Sequence, residues 1–565
     1  MTSLTCTSRG VEIDVLQGAA VHSALADSDF ARCWSDLFTR CPWSTAYQTV
    51  DYAKAWYHCY ADLYEPLVVR GVGSDESVAG VLALAVSKQN GELVPMGVDH
   101  ADYAAWISSS QWSGQFFDAA LDTLSTQFAG CSLILGYLPP GAPIEWVRAG
   151  SRWASRCVVV DAKRPLMEMK PDAIRGSLRK RNNRNRLSRL RRMGELQFHR
   201  LTDVDSLSLM LDDIAPHYDL RRMALYGKQP LRTDARKRAF YLELMHSGRM
   251  HATVSTIQGN FMAAMIGVCD RETFSLDLIC HSPAYAAQSP GKLHLLALAE
   301  QLVADGYRYI DLTPGNNWWK DRSATSYDTV YEVTIAFNRH GSLRDKAKVL
   351  ARHHARRAVK NLFSWIKLEP RLVRDRIRQL TDQGPRAIVG NSVKAIAHSL
   401  SRGDSLKHCP LGHVDSSAIS HRLVGKKDAV EDLFLFQSSS ARLNRAFLRR
   451  AYDRLCAGEH VFTHTEGDRL LGLCWVKQAS RRERGDKGGR LVVYDSCFHP
   501  LADRQQSCRA IARAIAVTLG SQLLDEPLDL SVSPSDHELI VAFDELQREQ
   551  HAEATNATPR CVPGP

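Results

Sequence analysis

Between Phe274 and Lys320 the chain sets acids, bases and turn residues at spacings that suit group transfer. Asp277 sits inside an apolar run, Phe274-Ser-Leu-Asp-Leu-Ile279. A carboxylate in such a run is desolvated, which raises its pKa and makes it a better proton acceptor near neutrality. The competing role is structural, a cap or an arginine partner. His281 is a second candidate base, or else an exposed strand-end residue. Tyr285 has a hydroxyl suited to giving up a proton or to packing on its loop. Gln288-Ser-Pro-Gly-Lys-Leu293 comes next. Pro290 fits the start of a helix, and Gly291 lets the main chain approach a ligand closely. The first N–H groups of that helix, with the positive end of its dipole, make a pyrophosphate site. The triplet Ser289-Pro290-Gly291 also opens ordinary loops, so its surroundings decide.

Those surroundings are regular. Thr273 to Cys280 reads as a strand, Lys292 to Ala304 as a helix, and Tyr307 to Leu312 as a second buried strand. Pro314-Gly315 then turns the chain into Trp318-Trp319-Lys320. Lys320 suits a phosphate or a carboxylate, and the two rings either stack on a sugar or fill a core. Upstream, Arg249 to Val268 reads as a hairpin with Gln258-Gly259-Asn260 at its turn. His217 and Arg221 fall on a helix expected over 206–223.

The order of hairpin, strand, phosphate-type turn, helix and strand resembles the GNAT acyltransferases. More narrowly it is similar to the CelD-like family linked to cellulose and exopolysaccharide biosynthesis. The residues carrying the resemblance are Ser289, Pro290 and Gly291, then Gly315, Trp319 and Lys320. The basic helix Ser177 to Arg192 and the segment Cys41-Pro-Trp-Ser-Thr-Ala-Tyr-Gln48, followed by Asp51 to Trp56, add to it. The resemblance covers roughly residues 30–360. It implies an α+β fold of tandem GNAT-like domains, with mixed, mostly antiparallel sheets flanked by helices. It implies acetyl-CoA or another acyl-CoA as co-substrate, held by Leu278, Ile279, Cys280 and the stretch from Gln288 to Leu293. Backbone donors at 278–280 would meet the developing oxyanion, and Tyr285 the leaving thiolate. Asp102 and Tyr103, in Gly97-Val-Asp-His-Ala-Asp-Tyr103, stand where the family has an Asp-Tyr pair and fall to the acceptor. His217, Arg221, Trp318, Trp319 and Lys320 join them as acceptor-binding candidates.

At 565 residues the chain is long enough for three or four folded units. The expected division is 11–163, a GNAT-like acceptor and scaffold domain, then 164–340, the catalytic domain. A basic helical connector at 341–400 leads to a third, degenerate GNAT-like domain at 415–548 and a disordered tail at 549–565. In the third domain the turn reads Arg504-Gln-Gln-Ser-Cys-Arg509. Side chains there stand where a pyrophosphate must meet bare backbone. The 14 cysteines form no CxxC pair and no regular Cys/His spacing, which argues for reduced thiols and against a metal site. No basic-then-apolar leader opens the sequence, and no apolar run nears the ~20 residues of a membrane span, so a cytoplasmic protein is expected.

The net charge of +10 is concentrated in Arg175–Arg192 and Arg344–Arg378. Both are either solvated helices or surfaces for an anionic partner or the inner face of a membrane. No nucleic-acid-binding motif accompanies the charge, so nucleic acid is disfavoured. The expected activity is N-acylation of a small-molecule amine or amino-sugar acceptor. Similarity to the Fem peptidyltransferases keeps charged tRNA as an alternative donor, and a non-catalytic scaffold of a polysaccharide assembly is the competing class.

Overall fold

The computed structural model describes residues 6–8, 10–337 apart from 75, 149 and 316, then 407–411, 425–436, 441–478, 491–500, 502–520, 528–532 and 536–556. The connector expected at 341–400 lies outside the described residues. The chain divides into two compact units. Unit 1 holds 1–212, 234–280 and 291–374, and unit 2 holds 213–233, 281–290 and 375–565.

Unit 1 carries two sheets. The first is built from β1 (Cys6–Ser8), β2 (Val11–Gln17), β3 (Tyr64–Gly73), β4 (Val78–Ser87), β5 (Leu93–Pro95) and β6 (Ile107–Ser108). They run in the order β1-β2-β3-β4-β5, with β6 beside β4. Residues 6–8 pair with β2. Helices α1 (Ala19–Ala26), α2 (Ser28–Arg40), α3 (Val50–Cys59) and α4 (Ser113–Gln127) belong to this part. Strict alternation of buried and exposed residues is absent from β3 and β4, whose apolar residues are buried in near-continuous runs because both faces are covered.

The second sheet has eight strands: β7 (Ser132–Leu138), β8 (Cys157–Glu168), β9 (Leu196–Leu201), β10 (Met250–Ile257), β11 (Asn260–Cys269), β12 (Thr273–His281), β13 (Tyr309–Asp311) and β14 (Ser326–Ala336). Their order is β7-β14-β8-β13-β12-β11-β10-β9. The strand at 132–138 and most of β8 come from the stretch assigned by sequence to the first domain, yet they hydrogen-bond into this sheet. An apolar strand announces burial but not its partner, and β14 supplies the partner from almost 200 residues away. The hairpin β10–β11 turns at Gln258 and Gly259, both with positive φ (49° and 77°), as a tight two-residue turn requires.

The helices of this part are α5 (Pro171–Arg179), α6 (Arg181–Met193), the start of α7 (Val204–Tyr226), α9 (Ala235–His246), α10 (Pro290–Ala304) and α11 (Trp318–Ser323), while the rest of α7 and α8 (Pro230–Thr233) fall in unit 2. The single basic helix expected over 177–192 is instead two helices. Lys180, at φ −55° and ψ 133°, breaks them. The break is stabilised by Asn183, whose side-chain N–H donates to the Ser177 carbonyl at 2.7 Å. On β12, Phe274, Leu276, Leu278 and Cys280 are buried while Asp277, Ile279 and His281 are only partly so. Of these, Phe274 and Leu276 pack with Leu295, Leu298, Ala299 and Leu302 of α10 and with Ile310.

β12 is held close to β11 by a residue without a side chain. A Cβ on Gly267 would lie 2.3 Å from the Ser275 carbonyl oxygen and 2.5 Å from the Phe274 ring. Gly267→Ala should therefore displace β12 and destabilise the protein by about 1–3 kcal/mol, as overpacking of a tight core does. A thermal melt of the variant checks this, and an unchanged midpoint would contradict it.

Unit 2 has one six-stranded sheet, ordered β15 (Lys407–Leu411), β20 (Leu528–Val532), β19 (Leu491–Phe498), β18 (Arg469–Gln478), β17 (His460–Glu466) and β16 (Lys426–Lys427). Its helices are α12 (Val430–Leu433), α13 (Ala441–Cys456), α14 (Arg504–Gly520) and α15 (His537–Asn556). Hairpin β17–β18, strand β19, helix α14 and strand β20 follow the order expected for a third GNAT-like domain. The helix α15 runs through Asn556, eight residues into the stretch expected to be a tail. Part of the reason is that Glu549 pairs with Arg513 of α14 at 3.0 Å, in line with Glu538–Arg504 and Glu545–Arg509.

Candidate active site

Two features of unit 1 converge on the end of β12. The first is the end of a strand pairing. β12 and β13 pair in parallel only at Thr273–Tyr309, Phe274–Ile310 and Ser275–Asp311. Beyond that point β12 continues to His281 while β13 has ended, so β13 pairs with none of the later residues of β12. The chain then makes a 3-10 turn over Pro283–Gln288, passes Ser289 in the left-handed region (φ 55°, ψ 56°), and starts α10 at Pro290. Gly291 and Lys292 fall in the first turn of that helix.

Lys292 is not alone there. Its ammonium donates to the Asn183 side-chain oxygen at 3.1 Å, and Asn183 is almost fully buried. Burial lowers the Lys292 pKa, and the charges of Arg186, Arg322 and Lys180 lower it further. Four cations thus crowd the start of α10, an arrangement that an anion would relieve.

The second feature is an acidic and aromatic cluster. Asp311, fully buried, accepts from the Tyr103 hydroxyl at 2.8 Å, Arg164 Nε at 2.7 Å and the Thr313 N–H at 2.7 Å. Thr313 has a left-handed backbone (φ 60°), held by that bond. Its carbonyl and hydroxyl oxygens accept from the buried Lys320 ammonium at 2.9 and 3.0 Å. Asp102 accepts from the Tyr47 hydroxyl at 3.1 Å, and Asp277 from the Tyr241 hydroxyl at 2.7 Å. Gln48 fixes the Asp102–Tyr103 loop. Its amide donates to the Tyr103 carbonyl at 2.9 Å, while its oxygen accepts from the Thr45 N–H and hydroxyl.

These groups share one electrostatic neighbourhood. Burial pushes the Asp102 carboxyl up to about 7, with Asp277 and Asp311 adding to the rise and Lys320 and Tyr47 opposing it. The Tyr47 hydroxyl is pushed up by burial and then by Asp102, and that of Tyr52 by burial and then by Asp277. Burial lowers the Lys320 pKa against the pull of Asp102 and Asp311. In this cluster Asp102 is therefore a carboxyl poised to exchange a proton near neutral pH.

The residues singled out from sequence divide between the units. Asp102, Tyr103, Asp277, Leu278, Ile279, Cys280, Gly291, Lys292, Leu293, Trp318, Trp319 and Lys320 belong to unit 1. Trp318 is half exposed on α11, whereas Trp319 packs against the α10 core. His217, Arg221, His281, Tyr285, Gln288, Ser289 and Pro290 belong to unit 2. There burial, with Arg221 and His217, pushes His281 down to about 3, so its imidazole is neutral at physiological pH. Tyr47, Gln48, Arg164, Tyr241, Asp311 and Thr313 were not expected. Thr45-x-x-Gln48 has the form of a capping box, and Asp311 is a charge inside an apolar strand, so both left a readable signal.

Residues 177–321 match the family model described as an acetyltransferase (GNAT) domain. The chain thus carries a GNAT acetyltransferase domain. The matched stretch is well under half of the sequence and contains β12, α10, β13 and Lys320. The GNAT domain makes the chain an acyltransferase in kind; the narrower CelD-like likeness has no match of its own. No curated protein matches the chain. Among solved structures, the chain is similar to FemX at 10% identity and a TM-score of 0.38, covering 54% of this chain and 95% of that one. It is also similar to a tandem GNAT protein from the clavulanic acid biosynthesis pathway, at 12% identity and a TM-score of 0.33, covering 57% and 98%. A third is the C-terminal domain of a putative lysylphosphatidylglycerol synthetase from Agrobacterium fabrum, at 11% and 0.37, covering 57% and 94%. At such TM-scores none of these likenesses bears on activity. Among the described residues no helix is long and apolar enough to cross a membrane, and no group of His, Cys, Asp and Glu could hold a metal ion.

Proposed function

We propose that the protein transfers an acyl group from an acyl-CoA, with acetyl-CoA the first to test, to the amine of a small acceptor such as an amino sugar. The observation that supports this most is the stretch of β12 beyond its pairing with β13, followed by a crowded group of cations at the start of α10. The stretch of β12 that β13 does not pair suits an extended pantetheine arm, and the cations suit its pyrophosphate. The acidic cluster suits the acceptor. An ammonium entering beside Asp102 and Asp277 gives one proton to Asp102, whose raised pKa matches that task. The freed amine attacks the thioester carbonyl, the C–N bond forms, and the C–S bond breaks. The departing thiolate takes the second proton of the attacking nitrogen, so the amide and the free thiol form together.

Calorimetry with acetyl-CoA tests the donor. Gly291→Glu places a carboxylate in the first turn of α10, against the incoming pyrophosphate, and should abolish binding that the parent protein shows. Equal binding by parent and variant would remove the cofactor from this turn. No binding by the parent would turn attention to charged tRNA.

A further inference from the structure

The cations of α5 and α6 outnumber what a CoA molecule can use. Residues 173–194 include Arg175, Arg179, Lys180, Arg181, Arg184, Arg186, Arg189, Arg191 and Arg192 and not one acidic residue. All but Arg186 are exposed. Among the described residues their only acidic partner is Asp172, 4.0 Å from Arg175. Such a concentration of like charge opposes folding unless a partner of opposite sign occupies it.

This surface is fixed to the candidate donor site. Asn183 donates to the Ser177 carbonyl, which locks the α5–α6 elbow, and accepts from Lys292 in the first turn of α10. From Asn183, α6 runs on to Met193 at about 1.5 Å per residue, so Arg189, Arg191 and Arg192 stand roughly 9–14 Å further along. Lys180, Arg186, Lys292 and Arg322 suffice for the phosphates of a CoA. The far arginines need a larger anion that is continuous with the first.

The chemistry of the elbow narrows the choice. Residues 171–194 contain no aromatic side chain, so the elbow itself offers no platform on which an unpaired RNA end could stack, and the nearby Trp318 ring already carries the Arg322 guanidinium, 5.3 Å from its centroid. Leu190 is buried and Met193 is the one large apolar side chain exposed on α6, which leaves no apolar face to enter a membrane. Eight of the nine cations are arginines, whose planar guanidinium pairs bidentately with carboxylates as well as phosphates. We infer that the α5–α6 elbow docks an acidic carrier protein that presents the acyl group on a phosphopantetheine arm. The arm's phosphate meets Lys292 and its neighbours, and carboxylates of the carrier meet Arg184, Arg189 and Arg191. This rests on the proposed thioester-dependent transfer.

The test titrates a fluorescently labelled acidic acyl-carrier protein, with and without its pantetheine arm, into the full chain by anisotropy, alongside calorimetry with acetyl-CoA. The triple variant Arg184→Glu, Arg189→Glu, Arg191→Glu alters exposed side chains and should fold. The expected result is carrier binding that weakens at least tenfold in the triple variant and at raised salt, with acetyl-CoA affinity unchanged. Acetyl-CoA binding without carrier binding would overturn the carrier and leave the acyl-CoA reading standing. An equal loss of both ligands in the triple variant would assign the far arginines to CoA and also overturn it. Binding of neither, with binding of a charged tRNA instead, would remove the acyl-CoA reading as well.

Discussion

Asp102→Asn is expected to lower kcat by about 10²–10⁴-fold, the range of a lost general base, while leaving acetyl-CoA affinity nearly intact. Asparagine keeps an oxygen that can accept from the Tyr47 hydroxyl, so the loop is still held in the variant. What it loses is the ability to take a proton. In the parent protein, activity should rise with pH along an acid limb centred near 7, because Asp102 must be ionised to act. That limb should be missing from the residual activity of the variant. Stability changes in the opposite direction. The Asp102 pKa moves from its ordinary value of 3.8 to about 7 in the folded protein. Between those values the native state keeps a proton that the unfolded chain has released, so stability falls as pH rises through the window. The variant escapes that loss. Its melting temperature should exceed the parent's at about pH 8 and equal it at about pH 3, where the parent's carboxyl is protonated whether folded or unfolded. A kcat unchanged by the substitution would dismiss Asp102 as the base. A loss of kcat with no gain in stability at high pH would make its role a positional one.

Much of this was legible because local signals agree. The hairpin turn at Gln258-Gly259, the alternation along β12 and the Pro290-Gly291 helix start each follow from steric preference and period. What was not legible depends on partners distant in sequence. Asp277 was singled out because its strand is apolar, yet β12 buries Phe274, Leu276 and Leu278 on one face and leaves Asp277 half open on the other. The carboxyl brought near neutrality is Asp102, in a loop whose sequence is not notably apolar. Its shift arises from burial and from Asp277, 175 positions away. Lys320 was expected to greet a substrate phosphate or carboxylate. In the structure it is buried on Thr313, and the cations that share a neighbourhood at the start of α10 are Lys292, Lys180, Arg186 and Arg322. Nothing in the spacing of 180, 186, 292 and 322 declares that they meet. The break at Lys180 is equally silent, since its immediate neighbours Leu178, Arg179 and Arg181 are good helix formers, and the Asn183–Ser177 bond explains the turn.

The cluster also makes a strong prediction about stability. Arg164→Met should destabilise unit 1 by roughly 3–5 kcal/mol, because it leaves a fully buried carboxylate without its cation. Asp311 would keep only the Tyr103 hydroxyl and the Thr313 N–H, and neither carries charge. The double variant Arg164→Met, Asp311→Leu removes both charges and should recover a large part of that loss, as apolar replacement of buried ion pairs often does. Its recovery should be incomplete, since the Tyr103 hydroxyl and the Thr313 N–H then lose their acceptor in a buried site. Urea unfolding of the parent, single and double variants gives the comparison directly. If the single variant melts like the parent, the ion pair is not what holds this region. If the double variant is the less stable of the two, Asp311 matters more as a hydrogen-bond acceptor than as a charge. Restored stability should not restore turnover. Without Asp311 nothing fixes the left-handed Thr313 on which the Lys320 ammonium rests, and Lys320 is the one cation that draws the Asp102 pKa down. The ion pair would then be kept for the geometry it imposes on Lys320 and Asp102, and the folded but inactive double variant is the observation that separates this role from stability.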